Sequence, residues 1–218
     1  MIFLARTVLL AKNIKQKIFN NKKIFFKHIM ILFLDTVSSL PEFSVINDNK
    51  IIHTYQILSN QGQKMSDLLI PSYLELNKRF KFDSNLNSLL VNTGPASYTA
   101  LRIGIAFFSG LSLSKNINLT GISCVDLFLF AIPNKEFVSS GILISSSMDQ
   151  NFICLFDKEK NIFKINKIEK NFHLDEQDIN LSKIKKIYTN ESLQKSKEKL
   201  FLDIEIQIIQ FSDLVNQN

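Results

Sequence analysis

The residues of this chain that could do chemistry are few, and they are not spaced as an active site requires. His28, His53 and His173 each lack a second histidine three or four positions away, the spacing that puts two metal ligands on one helix face. Ser97, His53 and Asp35 contain the residue types of a Ser-His-Asp catalytic triad, but their spacing does not favour one. The sequence also has no G-x-S-x-G nucleophile elbow. We therefore predict neither a metal centre nor a serine hydrolase.

Composition excludes several further classes of protein. The 218 residues are 45% hydrophobic and 21% charged, with Gly 6, Pro 4 and Cys 2, which rules out collagen-like, low-complexity, disulfide-framework and disordered chains. Apolar runs stop well short of the ~18 residues that a membrane span needs. Cys124 and Cys154 are flanked by apolar residues, which favours buried, inert thiols in a cytoplasmic protein over a zinc site.

The positive charge is concentrated at the start of the chain. Residues 1–29 carry seven bases and no acid, whereas residues 30–218 carry 19 bases and 20 acids. The nearly neutral body gives no argument for nucleic-acid binding. We predict that residues 1–29 are a basic extension, with an organelle transit peptide as the alternative, and that the core begins at Met30.

Hydrophobic periodicity predicts the elements that must position any site. Residues 30–132 read as βββαβαβα, a mixed sheet with helices packed on it, in which Ser66 is a candidate N-cap and Pro71 lies near the first turn. Pro133–Lys135 is the predicted boundary of a smaller α/β domain, 133–218. The predicted strands are 30–37, 43–47, 50–58, 86–92, 119–122, 142–145, 152–156, 162–168, 184–188 and 204–209, and the predicted helices are 65–79, 97–115, 124–132 and one charged helix before the last strand.

The helix 97–115 is apolar on two sides. Tyr98, Leu101, Ile105 and Phe108 share one side, and the opposite side carries the group Ile103, Phe107, Leu111, Ala100 and Gly104. Either both sides are buried within the monomer or one contacts a partner, since each exposed Leu, Ile or Phe forgoes ~1.5–3 kcal/mol of burial. Arg102 is interpreted as an ion pair, across an interface or with Asp35, or as an ordinary snorkelling side chain.

Two segments carry a family resemblance. The run VNTGPASYTALRIG (Val91–Gly104), preceded by the strand ILFLDTVSS, resembles the bacterial TsaB family, also called YeaZ, whose usual run is close to G-P-G-S-F-T-G-L-R-I-G. Ala96 and Ala100 replace two glycines, Tyr98 replaces Phe, and Met65 replaces the usual His of the pattern H-S-E-x-L-L-P. The match covers residues 30 to about 132, and residues 133–218 add little support. The residues that fit the second pattern are Ser66, Asp67, Leu69 and Pro71.

The resemblance implies an actin-like, Hsp70-like ATPase fold (RNase H-like) that has lost its own catalysis. Family members bind a catalytic subunit, TsaD, and an ATPase, TsaE, and the complex transfers a threonylcarbamoyl group to a tRNA adenosine. The resemblance therefore implies that this chain binds no cofactor and that ATP and metal bind to the partner subunits. It would contact tRNA only indirectly, through the complex, and it could form a homodimer in the absence of its partner. The interface residues implied on helices 65–79 and 97–115 are Met65, Leu68, Leu69, Leu76, Ala100, Ile103, Gly104, Phe107 and Leu111.

The loop after the first strand argues against catalysis. An ATPase of this fold uses glycines to let the backbone approach phosphates, yet Asp35–Ser39 has none and Gly141 is the sole glycine of residues 133–218. Asp35 and Thr36 are interpreted as a remnant nucleotide loop or as hairpin caps. An autonomous ATPase or kinase, and a tRNA-binding module acting through residues 1–29, remain the alternatives. Lys183, Lys185 and Lys186 form a small basic cluster that is more typical of a solvated face.

Overall fold

The described part of the molecule contains two five-stranded sheets. In a computed structural model, the described residues are 29–38, 41–48, 50–57, 64–96, 98–132, 139–145, 151–156, 162–168, 184–190 and 204–208. The first sheet lies before the predicted domain boundary and the second lies after it. The boundary itself, within 133–138, falls outside the described residues, as do the segments 1–28 and 191–203.

The first sheet has the order β3-β2-β1-β4-β5. Its strands are β1 (Met30–Asp35), β2 (Glu42–Asn47), β3 (Lys50–Gln56), β4 (Leu86–Asn92) and β5 (Asn118–Ile122). The first three pair antiparallel as a meander, and β4 and β5 continue the sheet parallel to β1. The parallel strands β1, β4 and β5 form one side of the sheet, because helical crossovers connect them over its face.

Helices cover both faces of this sheet. Helices α1 (Met65–Phe80) and α2 (Tyr98–Lys115) pack on the face that carries Leu32 and Leu34. Helix α3 (Cys124–Ala131) packs on the opposite face, where Leu127 meets Ile31 and Phe33. Burial on both sides explains why β1 reads as a continuous apolar run rather than an alternating one.

The second sheet has the order β10-β9-β6-β7-β8. One of its faces packs against helix α3, whose Val125 and Phe128 share a buried cluster with Ile142 and Ile144. Helix α3 therefore lies between the two sheets. The strands are β6 (Ser140–Ser145), β7 (Asn151–Phe156), β8 (Ile162–Ile168), β9 (Lys186–Thr189) and β10 (Glu205–Ile208).

The order βββαβαβα is confirmed, and the differences are local. Lys64, not Ser66, precedes the first residue of α1, and it makes no side-chain capping bond. The N-cap prediction is wrong because the helix starts two residues earlier than a Ser66 cap requires. Pro71 consequently lies inside the helix. Ile29, one residue before the predicted start of the core, is buried, and its backbone exchanges hydrogen bonds with Asp48.

Candidate functional site

Helix α2 is anchored by a row of residues that faces the first sheet. Ala100, Gly104 and Phe108 are buried at four-residue spacing. Gly104 is needed there, because a Cβ atom at this position would lie 3.0 Å from both the methyl and hydroxyl groups of Thr36. The motif residues on this side of α2 therefore serve close packing of the helix onto β1.

This packing places four residues of the predicted interface in the core of the monomer. Leu69 and Leu76 of α1 are 2% and 0% exposed, and Ala100 and Gly104 are also buried. These four residues belong to the monomer core and are not accessible to a partner in this conformation. A helical wheel could not reveal this, because it shows which residues share a side but not which side meets the sheet.

The other five residues of that predicted interface are only half-buried, but they pack against the same core. Phe107 is the clearest example, with ring centroids 6.1 Å from Phe43, 5.7 Å from Tyr73 and 5.7 Å from Phe108. An aspartate at position 107 would therefore disturb folding as well as any interface. The five residues are Met65, Leu68, Ile103, Phe107 and Leu111.

A different set of apolar side chains points away from the sheet. The exposed fractions are 56% for Ile70 and 57% for Leu74 on α1, and 65% for Tyr98, 37% for Ile105 and 83% for Leu113 on α2. The two helices contact each other and share one core cluster, and each exposes some of these five side chains where that core does not cover it. We call this surface the helix-pair face. Large apolar side chains grouped in this way are typical of protein-interaction sites.

Arg102 lies on the same side of α2 as this face. Its guanidinium carbon is 3.7 Å from the centroid of the Tyr98 ring, and it donates a hydrogen bond to the Tyr98 hydroxyl. The predicted pairing with Asp35 is wrong, because the Asp35 carboxylate is bound by other donors. Arg102 has no acidic partner among the described residues.

Asp83 ties the two helices of the face together. Its carboxylate accepts a hydrogen bond from the Tyr73 hydroxyl of α1 and lies 2.6 Å from the Lys115 ammonium at the end of α2. Burial, followed by the bond to Asp83, raises the pKa of Tyr73, so the phenol stays protonated. The sequence analysis missed Asp83, because it lies in a short 3-10 turn with no recognisable motif.

The loop after β1 folds around the carboxylate of Asp35, which accepts hydrogen bonds from the loop. Asp35 Oδ1 accepts the Val37 amide at 2.8 Å and the Asn92 side-chain amide at 3.1 Å, and Oδ2 accepts the Ser38 hydroxyl at 2.5 Å. The Ser38 amide also points at Asp35, at 3.4 Å. Donors of the type that an ATPase would offer to a phosphate are thus already used within the loop. Thr36 turns to the other face, towards α2, with its hydroxyl unpaired among the described residues.

Asn92, at the end of β4, extends this network to helix α3. Its side-chain oxygen accepts the Gly94 amide at 3.0 Å and the Cys124 thiol at 3.1 Å. Burial raises the pKa of the Cys124 thiol, and burial raises that of Cys154 to about 12. The prediction that both cysteines are buried is confirmed, and neither is activated as a nucleophile.

Glu42 is the neighbour of Asp35 across the β1–β2 pair. Burial, with the charge of Asp35 as a second cause, raises the pKa of Glu42 to about 7, against a weaker opposing effect of the Ser44 hydrogen bond. Two carboxyl groups alone do not make a metal site. Within the described ranges, no group of three or more His, Cys, Asp or Glu side chains is placed to hold an ion.

The remaining residues singled out from the sequence have structural contacts. His53 stacks on Phe80 with ring centroids 3.4 Å apart. Lys186 pairs with Glu205 at 2.7 Å, Lys185 is exposed, and Lys183 lies outside the described residues, as do His28, Ser97 and His173. Of the helices that the structure describes, none combines the length and the apolarity that crossing a membrane requires.

Comparison with known proteins identifies solved structures with a similar architecture, but no similar sequence. No protein-family model and no curated protein matches the sequence. The chain is similar in structure to an uncharacterised Pseudomonas aeruginosa protein with similarity to peptidase YeaZ, at TM-score 0.54 and 11% identity over 85% of this chain and 88% of the other. YeaZ from Pseudomonas aeruginosa gives TM-score 0.53 and 13% identity over the same shares.

A third solved structure has the same architecture. A Bacteroides thetaiotaomicron protein of actin-like ATPase fold and unknown function gives TM-score 0.50 and 9% identity over 85% of this chain and 94% of the other. Identities this low establish the fold alone. The chain has an actin-like ATPase fold, of the kind found in YeaZ-like proteins.

Proposed function

We propose that this chain is a non-catalytic subunit of the TsaB type. It binds a TsaD-like catalytic subunit and supports the threonylcarbamoylation of tRNA adenosine. The motif-level resemblance of Val91–Gly104 and the YeaZ-like fold both support this assignment. The observation that carries it is the helix-pair face, a cluster of exposed apolar side chains on two helices that a partner would cover.

The helix-pair face has the shape and composition that a helix-on-helix contact needs. The face contains five large apolar residues, and α2 also exposes Ala106 and Gly110. A Cβ added at Gly110 would meet no atom of the described residues within 4 Å. Small residues beside large ones let a second helix approach closely. Two such helix pairs, one from each subunit, would suit a standard interface of ~1,600 Å².

The closed loop after β1 supports the non-catalytic part of the proposal. Its carboxylate Asp35 is satisfied by its own loop and by Asn92, and no glycine is present for close phosphate approach. We expect calorimetric titration of the isolated chain with Mg-ATP to give no tight binding. Tight, magnesium-dependent binding would favour the autonomous ATPase or kinase instead.

The interaction is tested by aspartate substitution on each helix. Leu74→Asp and Leu113→Asp place a charge where a side chain is more than half exposed, so both variants should fold with nearly unchanged thermal stability. Each should reduce binding to a TsaD-like subunit by at least ~100-fold, since a buried unpaired carboxylate is strongly unfavourable.

A matched control separates the face from general surface effects. Ile208 on β10 is 47% exposed but lies on the second sheet, so Ile208→Asp should leave binding intact. Wild-type affinity for TsaD in both folded helix variants would contradict the proposed function.

A further inference from the structure

We propose that Arg102 is the charged anchor of the helix-pair face and pairs there with a carboxylate carried by a helix of the partner protein. The inference rests on the proposed function, because it specifies the chemistry of the same surface. It goes further by predicting that an acidic residue, flanked by aliphatic ones, is the group that the partner presents.

The position of Arg102 within the face is the first argument. At 100° per residue, Tyr98, Arg102, Ile105 and Leu113 fall within one sector of α2, on the side that faces away from the buried Ala100 and Gly104. All four members of the outer sector are exposed. A partner that covers the apolar members must also cover the guanidinium between them, and a covered guanidinium needs an acceptor.

The second argument is that the guanidinium is held in place before binding. It stacks on the Tyr98 ring at 3.7 Å and bonds the Tyr98 hydroxyl. Stacking restricts the long Arg side chain and therefore lowers the entropy lost on association. Its other N–H groups make no bond to the described residues, so they can donate to a carboxylate in the two-bond geometry that arginine favours.

Electrostatics provides the third argument and defines the ligand. The first turn of α2 contains no acidic residue, and the amino end of a helix carries partial positive charge. Arg102, one turn further along, adds a full positive charge that no described carboxylate balances. This end of the face therefore attracts an anion, and the exposed apolar side chain of Ile105, about one turn away, favours an anion that is part of an apolar helix surface.

The test measures the affinity of the full chain for a purified TsaD-like subunit by calorimetry, at about 0.05 M and about 0.5 M salt. Arg102→Met should weaken binding about 10- to 100-fold at low salt and flatten the salt dependence. Lys50→Met, an exposed cation on β3, should change neither quantity. Arg102→Glu should prevent binding, and Lys in place of one acidic residue on the partner should restore it.

The outcomes distinguish this inference from the function on which it rests. Unchanged affinity and salt dependence in Arg102→Met, while Leu113→Asp prevents binding, would overturn the charged anchor and leave the proposed function standing. Wild-type binding by both variants would overturn the proposed function. Circular dichroism of each variant confirms that a loss of binding is not a loss of folding.

Discussion

At the scale of single residues, the end of the β1–β2 pair shows how two neighbouring carboxyl groups acquire different properties. Asp35 receives hydrogen bonds from its own loop and from Asn92, whereas the hydrogen bond to Glu42 comes from Ser44, at 3.3 Å. Burial and the charge of Asp35 therefore raise the pKa of Glu42 to about 7. In the folded protein Glu42 is therefore protonated at pH values below about 7.

This difference predicts a pH dependence of stability. Glu42 is ionised above pH 4.5 in the unfolded chain but only above about pH 7 in the folded one. Between these values the folded state binds more protons, so the free energy of unfolding falls as pH rises. Glu42→Gln should remove this decline, and urea unfolding should find the variant more stable than wild type at about pH 8 but not at about pH 4.

Glu75 offers a control of opposite sign. Its exposed carboxylate bonds Arg79 at 2.7 Å, which lowers its pKa. Glu75→Gln should therefore remove a small stabilisation that is present above pH 4.5 and lost as the pH falls below it. A Glu42→Gln variant with the same pH profile as wild type would refute the proposed protonation of Glu42.

At the scale of elements, helix α2 has one glycine that is required and one that is not. Gly104 lies against Thr36 at the end of β1, whereas Gly110 faces open space. Glycine lowers helix stability at either place, because it loses more backbone entropy than alanine when the helix forms. The cost is offset by close packing at Gly104, but no contact with the described residues offsets it at Gly110.

Alanine substitutions should separate the two glycines. Gly110→Ala should raise the free energy of unfolding by about 1 kcal/mol, whereas Gly104→Ala should lose this gain to the contact with Thr36. Thr36→Ala removes both contacting atoms, so a double-mutant cycle in urea should give a favourable coupling of about 1 kcal/mol between positions 36 and 104. Zero coupling would show that the contact does not limit the packing of α2.

At the scale of the whole molecule, helix α3 joins the two sheets. Leu127 packs with the first sheet, and Phe128 packs with the second. Two adjacent residues, about 100° apart around one short helix, thus pack into two separate layers of core. The Cys124–Asn92 contact adds a polar link from α3 to the end of β4.

This arrangement predicts different local effects for two neighbouring truncations. Phe128→Ala and Leu127→Ala should each lower the free energy of unfolding, by about 3–5 and about 2–5 kcal/mol. In native-state hydrogen exchange, Phe128→Ala should increase exchange most in β6 and β7, and Leu127→Ala most in β1 and β4. Identical exchange patterns would contradict the division of α3 between the sheets.

The sequence was informative about the bounds of strands and helices and about the burial of the two cysteines. Strand β8 was predicted to the residue, and the helix at 97–115 within one residue of its described start, because periodicity and breakers such as Asn116 act locally. The burial of Cys124 and Cys154 also followed from their apolar neighbours. The actin-like fold was implied by the resemblance of Val91–Gly104, and the structural likeness to YeaZ supports it.

By itself, the sequence determined the order of strands and helices, the apolar character of both sides of α2 and the lack of glycines in the loop after β1. Only the tertiary structure decided which side of α2 is outside. The sheet and α1 together cover Ile103, Phe107 and Leu111, which leaves Tyr98, Ile105 and Leu113 exposed. The physical reason is that periodicity depends on the local backbone, whereas burial depends on elements distant in sequence that the chain brings together.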